Sequence, residues 1–145
     1  MRALLQRVSH AEVRVEDRLV GKIQRGLLVL LGLDREDDQA AVERMLDKLL
    51  AYRVFPDDQG RMNCSVTDIA GGVLLVSQFT LSADTRKGLR PGFSSAMPPD
   101  QAQALFDYAV EALQARHQPV AAGVFGADMQ VSLTNDGPVT FLLET

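Results

Sequence analysis

Apolar and polar positions alternate early in the chain. Leu4, Leu5 and Val8, then Val13 and Val15 set against Glu12 and Arg14, predict strands over 3–8 and 11–15. Glu16-Asp17-Arg18 is a polar turn, and 19–23 returns as the other arm of a hairpin. Gly26 breaks the chain before Leu27-Leu28-Val29-Leu30-Leu31, a run apolar on both faces, as a buried central strand would be. The period then changes. Val42, Met45, Leu46, Leu49 and Leu50 fall on one face at helical spacing, which predicts a helix over 38–53 with Asp34, Asp37 or Asp38 at its start. Phe55-Pro56-Asp57-Asp58-Gln59-Gly60 reads as a loop.

A second buried strand, 73–76, follows Gly71-Gly72 and ends in Ser77-Gln78-Phe79-Thr80. Residues 82–91 form a polar loop holding Arg86, Lys87 and Arg90. Pro98-Pro99-Asp100 opens a second helix whose apolar face is Ala102, Leu105, Phe106, Ala109 and Leu113, and Pro119 stops it. Met129, Val131 and Leu133 alternate with polar residues, Thr134-Asn135-Asp136-Gly137-Pro138 reads as a connection, and 139–143 reads as a return strand. This order predicts an α+β fold rather than a doubly wound parallel sheet. The expected architecture is one compact domain over 1–145, mainly antiparallel and barrel-like, with two main helices.

Composition narrows the function classes. With 46% hydrophobic and 23% charged residues the chain is expected to fold around one core. The start of the chain is broken by Gln6, Arg7, Ser9 and His10, and the longest apolar run, 27–33, is too short to span a bilayer. A soluble protein with no membrane partner is expected. Cys64 stands alone, so no intrachain disulfide forms, which suits a cytoplasmic location. The net charge of −4 argues against an extended grip on nucleic-acid backbone, yet leaves room for a pocket that takes only the end of an RNA.

Catalytic motifs are scarce. His10 and His117, the only histidines, stand in no recognisable pattern, and the chain lacks H-E-x-x-H, C-x-x-C, G-x-S-x-G and the phosphate-binding P-loop. Neither a metal nor a cofactor is expected. Ser77 and Thr80 end an apolar strand, where hydroxyls either line a site or satisfy backbone groups in a turn. No neighbouring base would activate Thr80 as a nucleophile. Gly137-Pro138 reads as a plain turn. Arg7, on a strand among apolar neighbours, calls for a specific partner such as backbone carbonyls. Arg86, Lys87 and Arg90 are either phosphate contacts or solvated charge. Phe79, Phe125 and Met129 are core candidates first and pocket walls second.

Four blocks in register extend the reading: Ser77-Gln78-Phe79-Thr80-Leu81, Ala83-Asp84-Thr85-Arg86-Lys87-Gly88, Phe125-Gly126-Ala127-Asp128-Met129 and Asn135-Asp136-Gly137-Pro138-Val139-Thr140. With the opening Met1-Arg2-Ala3-Leu4-Leu5-Gln6-Arg7-Val8, they resemble the signature of the D-aminoacyl-tRNA deacylases over nearly the whole chain. The resemblance implies a homodimeric carboxylic ester hydrolase that acts on D-aminoacyl-tRNA at the 3′-terminal adenosine. It further implies that Ser77, Gln78, Phe79 and Thr80 line the catalytic pocket, and that Phe125 and Met129 flank the adenosine. Gly137 and Pro138 would be a cis pair inserted into the partner subunit's pocket to reject L-amino acids, with Arg7 holding their loop. Glycine mischarged on tRNA(Ala) would then be cleaved too, and the RNA's own 2′-hydroxyl would assist hydrolysis. Gly92, where the family pattern has Ser, and Ser95-Ala96-Met97 depart from the signature.

Three rival readings follow: an editing deacylase releasing L-alanine, a non-catalytic nucleic-acid-binding protein, and a general esterase using Thr80.

Overall fold

The computed structural model describes residues 1–145. Strand β1, Arg2–Val15, runs unbroken where the sequence suggests two strands. Its buried residues Ala3 and Leu5 join the larger core cluster and Val8, Ala11 and Val13 the smaller one, and the three-residue steps from Leu5 to Val8 and from Val8 to Ala11 hid the continuity. Glu16 and Asp17, both in the left-handed region, turn β1 into β2, Arg18–Ile23. Strand β3, Gly26–Gly32, returns antiparallel along the first half of β1. Its two-sided burial is that expected: Leu27, Val29 and Leu31 join the core beneath the helices, while Leu28 joins a smaller cluster with Val8, Val13 and Leu74.

Helix α1, Gln39–Ala51, begins at Asp38, whose carboxylate accepts the Ala41 N–H at 2.8 Å. Two short strands the sequence did not announce form a hairpin, β4 (Phe55–Pro56) inside the predicted loop and β5 (Met62–Cys64) just beyond it. Strand β6, Gly72–Ser77, pairs parallel to β3. The two chains enter this pairing so closely that a Cβ on Gly26 would lie 1.9 Å from Gly72 O, so glycine is required there. Helix α2, Pro99–Arg116, buries the five apolar positions read from its spacing.

Past Pro119 comes β7, Val120–Ala122, unpredicted because it is only three residues long, and it pairs parallel to β6. The resulting sheet, in order β2-β1-β3-β6-β7, curls until Gly21 of β2 leaves only 2.8 Å between a hypothetical Cβ and Ala122 O of β7. It is a nearly closed, barrel-like sheet carrying two helices. Its β3-β6-β7 portion is parallel within an otherwise antiparallel arrangement. No helix is long and apolar enough to cross a membrane.

The last strand corrects the predicted hairpin. Strand β8, Gln130–Glu144, runs the length of β1 as a single antiparallel partner. Pairing goes from Arg14↔Gln130 to Val8↔Asn135 and resumes at Gln6↔Thr140, so residues 136–139 bulge out opposite Arg7. What reads as a turn between two strands is an excursion within one.

Candidate active site

The carboxyl ends of β6 and β7 lie side by side because the two strands are parallel, and the loops leaving such ends commonly build binding sites. Gln78 N–H still donates to Leu31 O at 2.8 Å, which carries the β6 direction one residue past the strand. The chain then tightens into a 3-10 turn, Phe79–Ser82. Leu81 N–H donates to Gln78 O and Ala83 N–H to Thr80 O, and buried Ser82 donates its hydroxyl to Leu33 O. The first N–H groups of such a turn, those of Phe79 and Thr80, have no partner inside it.

Beside this turn opens a cavity of about 510 Å³, lined by Ser77, Gln78 and Phe79 on one side and by 125–129 and Val131 on the other. Val76, Met97, Pro99 and Ala102 complete its wall. Most of the wall is apolar, with a few polar groups at the end of β6, the composition of a small-molecule pocket. Phe125 rests on Phe106 of α2 with ring centroids 6.0 Å apart, and Met129 packs on the smaller core cluster. Met129 crowds Gly123, where a Cβ would lie 2.7 Å from its sulfur. Of the two departures from the family pattern, Met97 reaches the wall of this cavity; Gly92 does not, and a Cβ there would meet nothing closer than 3.8 Å.

The cavity gathers Ser77, Gln78, Phe79, Phe125 and Met129. Thr80 is next in sequence but does not line it, and its hydroxyl accepts from the Gln78 side-chain amide. Arg7, Gly137 and Pro138 stand apart. Val131 and Gly137 lie on the same strand, so at about 3.3 Å per residue Gly137 sits up to roughly 20 Å from Val131, the residue that β8 gives to the cavity wall.

The 136–139 bulge is clamped from two directions. Arg7 Nε donates to Asp136 O at 2.8 Å and lies 3.2 Å from the Asp136 carboxylate, while Arg7 Nη1 donates to Val54 O at 2.7 Å. Backbone carbonyls are thus the partners the sequence called for. Asn135 Nδ2 donates to Arg7 O at 3.1 Å and to Val139 O at 3.0 Å, bracketing the bulge. Between them Gly137-Pro138, joined by a cis peptide bond, is exposed. Sequence reasoning assigned no role to Asn135 or Asp136. The available signal was an asparagine beside a Gly-Pro turn, a residue that habitually bonds nearby backbone. Arg7→Ala is expected to leave Val54 O and Asp136 O without their donor and to cost about 1–3 kcal/mol, read from denaturant unfolding.

The basic loop closes on itself: Asp84 and Gly92 exchange backbone hydrogen bonds of 2.7 and 3.0 Å. Arg86 folds back onto Asp84, and its side-chain and then its backbone hydrogen bonds hold that carboxyl well below the usual carboxylate range. Buried His117 places Nε2 2.7 Å from Gly71 O and does not line the cavity. No group of three or more His, Cys, Asp or Glu side chains is arranged to hold a metal ion.

Comparison with known proteins agrees with this arrangement. The family model described as D-Tyr-tRNA(Tyr) deacylase matches residues 4–144. The chain is 61% identical to a D-aminoacyl-tRNA deacylase of Stutzerimonas stutzeri (strain A1501) over 145 residues, covering 100% of each chain. It is 63% identical to one of Ectopseudomonas mendocina (strain ymp), covering 99% of each. Among solved structures it superposes on the c-Myc DNA Unwinding Element Binding Protein with a TM-score of 0.95, 43% identity and coverage of 100% of this chain and 99% of that one. A probable eukaryotic D-amino acid tRNA deacylase shares the fold at a TM-score of 0.83 and 20% identity, over 98% of this chain and 97% of that one. The match across nearly every residue, on a fold that brings two of the signature blocks into one cavity, makes this chain a member of the D-Tyr-tRNA(Tyr) deacylase family.

Proposed function

We propose that this protein is a D-aminoacyl-tRNA deacylase, a hydrolase of the ester between a D-amino acid and the 3′-terminal adenosine of tRNA. The observation that carries the reading is the convergence of Ser77-Gln78-Phe79 and 125–129 on one apolar-walled cavity, in a chain whose full-length relatives bear that name. The cavity, at about 510 Å³, is of a size that admits a nucleoside. The terminal adenosine sits between Phe125 and Met129, and the ester carbonyl faces the Phe79 and Thr80 N–H groups.

Hydrolysis proceeds with little help from side chains. Water adds to the ester carbonyl, the two N–H groups stabilise the oxyanion, and the ribose oxygen leaves with a proton. The neighbouring 2′-hydroxyl of the RNA relays that proton, since a group already held beside the reacting bond needs no further ordering. Thr80 orients through its hydroxyl and forms no acyl intermediate.

Selectivity comes from a second copy of the chain. The distance of Gly137-Pro138 from its own cavity, and the clamping of its bulge by Arg7 and Asn135, support insertion into a partner's pocket in a homodimer. There the pair would collide with an L side chain and leave D-amino acids and glycine, including glycine on tRNA(Ala), free to react. The reaction belongs to the cytoplasm, where aminoacyl-tRNA is made.

Deacylation of matched D- and L-tyrosyl-tRNA tests the reading, with rapid release of the D form and near-silence on the L form expected. Rapid release of L-alanine from L-alanyl-tRNA would move the protein to the editing branch instead. A non-catalytic nucleic-acid-binding role has one supporting observation, the name of the 43%-identical c-Myc DNA Unwinding Element Binding Protein. Failure to hydrolyse any charged tRNA would favour it, and hydrolysis of simple activated esters dependent on Thr80 would favour a general esterase.

A further inference from the structure

Two aromatic rings stand exposed at the mouth of the cavity. Phe79, 61% exposed, forms part of its wall, and Phe93, 40% exposed, packs against Phe79 with centroids 5.1 Å apart at an angle of 53°. Phe93 follows directly on Gly92, which closes the basic loop against Asp84, so the ring pair lies at the foot of that loop. Of the loop's cations, Arg86 is neutralised by Asp84, while Lys87 and Arg90 are exposed and enter no ion pair. In a chain of net charge −4, two unpaired cations on the loop that bears an exposed aromatic pair make a local site for an anion attached to a flat, stackable group.

We propose that Phe79, Phe93, Lys87 and Arg90 form a second nucleotide subsite, which holds the nucleotide immediately preceding the terminal adenosine. The proposal rests on the adenosine occupying the adjoining cavity, as in the function given above. Its base stacks on the aromatic pair and the phosphates on either side of its ribose meet Lys87 and Arg90. Stacking of this kind accepts any base, since every base has a π-face, and the cations read only charge. A footprint of two nucleotides suits a protein of net charge −4. Recognition is thereby confined to the single-stranded end shared by every tRNA.

The test compares two small substrates, D-tyrosyl-adenosine and 5′-phosphorylated D-tyrosyl-cytidylyl-adenosine, which carries both phosphates flanking the cytidine, with D-tyrosyl-tRNA as the reference. Wild-type kcat/KM is expected to be about tenfold higher on the dinucleotide than on the mononucleotide. Phe93→Ala and the double variant Lys87→Ala/Arg90→Ala are expected to cut that advantage to about twofold, with the mononucleotide rate within about twofold of wild type. Phe93→Leu, which keeps the apolar bulk without the ring, should behave as Phe93→Ala does. If the protein is active on D-tyrosyl-tRNA yet shows no dinucleotide advantage, or the variants retain it, the subsite is wrong and the deacylase reading stands. Equal loss on both small substrates would make Phe93 a support of the adenosine cavity and overturn the proposal. So would dissociation of a dimer on Phe93→Ala in sedimentation, since the rings would then belong to a contact between copies. Inactivity on D-tyrosyl-tRNA itself would remove both readings.

Discussion

Gly137→Ala is expected to lower kcat/KM on D-tyrosyl-tRNA by about 100-fold and to weaken the preference for D over L, with little change in unfolding midpoint. A Cβ at this position would lie 2.1 Å from Asn135 Oδ1 and 2.9 Å from Val139 N. Neither neighbour can yield cheaply. Asn135 is committed to Arg7 O and Val139 O, and the Val139 nitrogen is backbone. The bulge must therefore shift as a unit, and in the proposed homodimer its exposed tip would enter the partner's cavity misplaced by about an ångström or more. Global stability should hold because 134–138 is exposed and contributes no residue to either apolar cluster. Single-turnover deacylation of both enantiomers, paired with a thermal melt, measures the two effects separately. Retention of wild-type rate and selectivity would remove Gly137-Pro138 from the mechanism.

Replacing the terminal adenosine of D-tyrosyl-tRNA by its 2′-deoxy form is expected to lower turnover by about 100-fold or more, whereas Thr80→Ala should cost less than about tenfold. The deoxy substrate loses the hydroxyl proposed to relay the proton, and no histidine can replace it: His117 is buried against Gly71 O and His10 is on β1. Thr80→Ala removes a hydroxyl engaged by the Gln78 amide but leaves the two N–H groups at the start of the 3-10 turn. Rates on the two substrates with wild type and variant complete the test. A normal rate on the deoxy substrate would exclude the RNA's role, and an acyl adduct trapped on Thr80 would make Thr80 the nucleophile instead.

Elements of this fold were legible in the sequence in proportion to how local their signals are. Both helices were legible because their apolar stripes repeat within a few residues and are satisfied by burial alone, and every position on the predicted α2 face is buried. The two-sided run in β3 was legible for the same reason. Strand β7 and the β4–β5 hairpin were not, since two or three residues carry no period. Residues 134–138 misled because Asn, Asp, Gly and Pro signal a reversal, whereas long-range pairing with β1 on both sides carries the strand straight past them. Of the candidate site, Ser77, Gln78, Phe79, Phe125 and Met129 could be singled out from their motifs, and Arg7's need for carbonyl partners from its setting.

The sequence by itself determined the chemistry available to this protein: an apolar core for one domain, no metal-binding or histidine-based catalytic motif, and signature blocks that mark its family. Those are properties of residue type and short spacing. Only the tertiary structure decided which blocks meet. Parallel pairing of β6 with β7 sets 77–79 beside 125–129 around one cavity, although some 45 residues separate them. The antiparallel run of β8 along β1 carries Gly137 away from that cavity and under the grip of Arg7, more than a hundred residues distant in sequence. Register between strands is fixed by burial summed over the whole sheet, and no local window of sequence contains that sum.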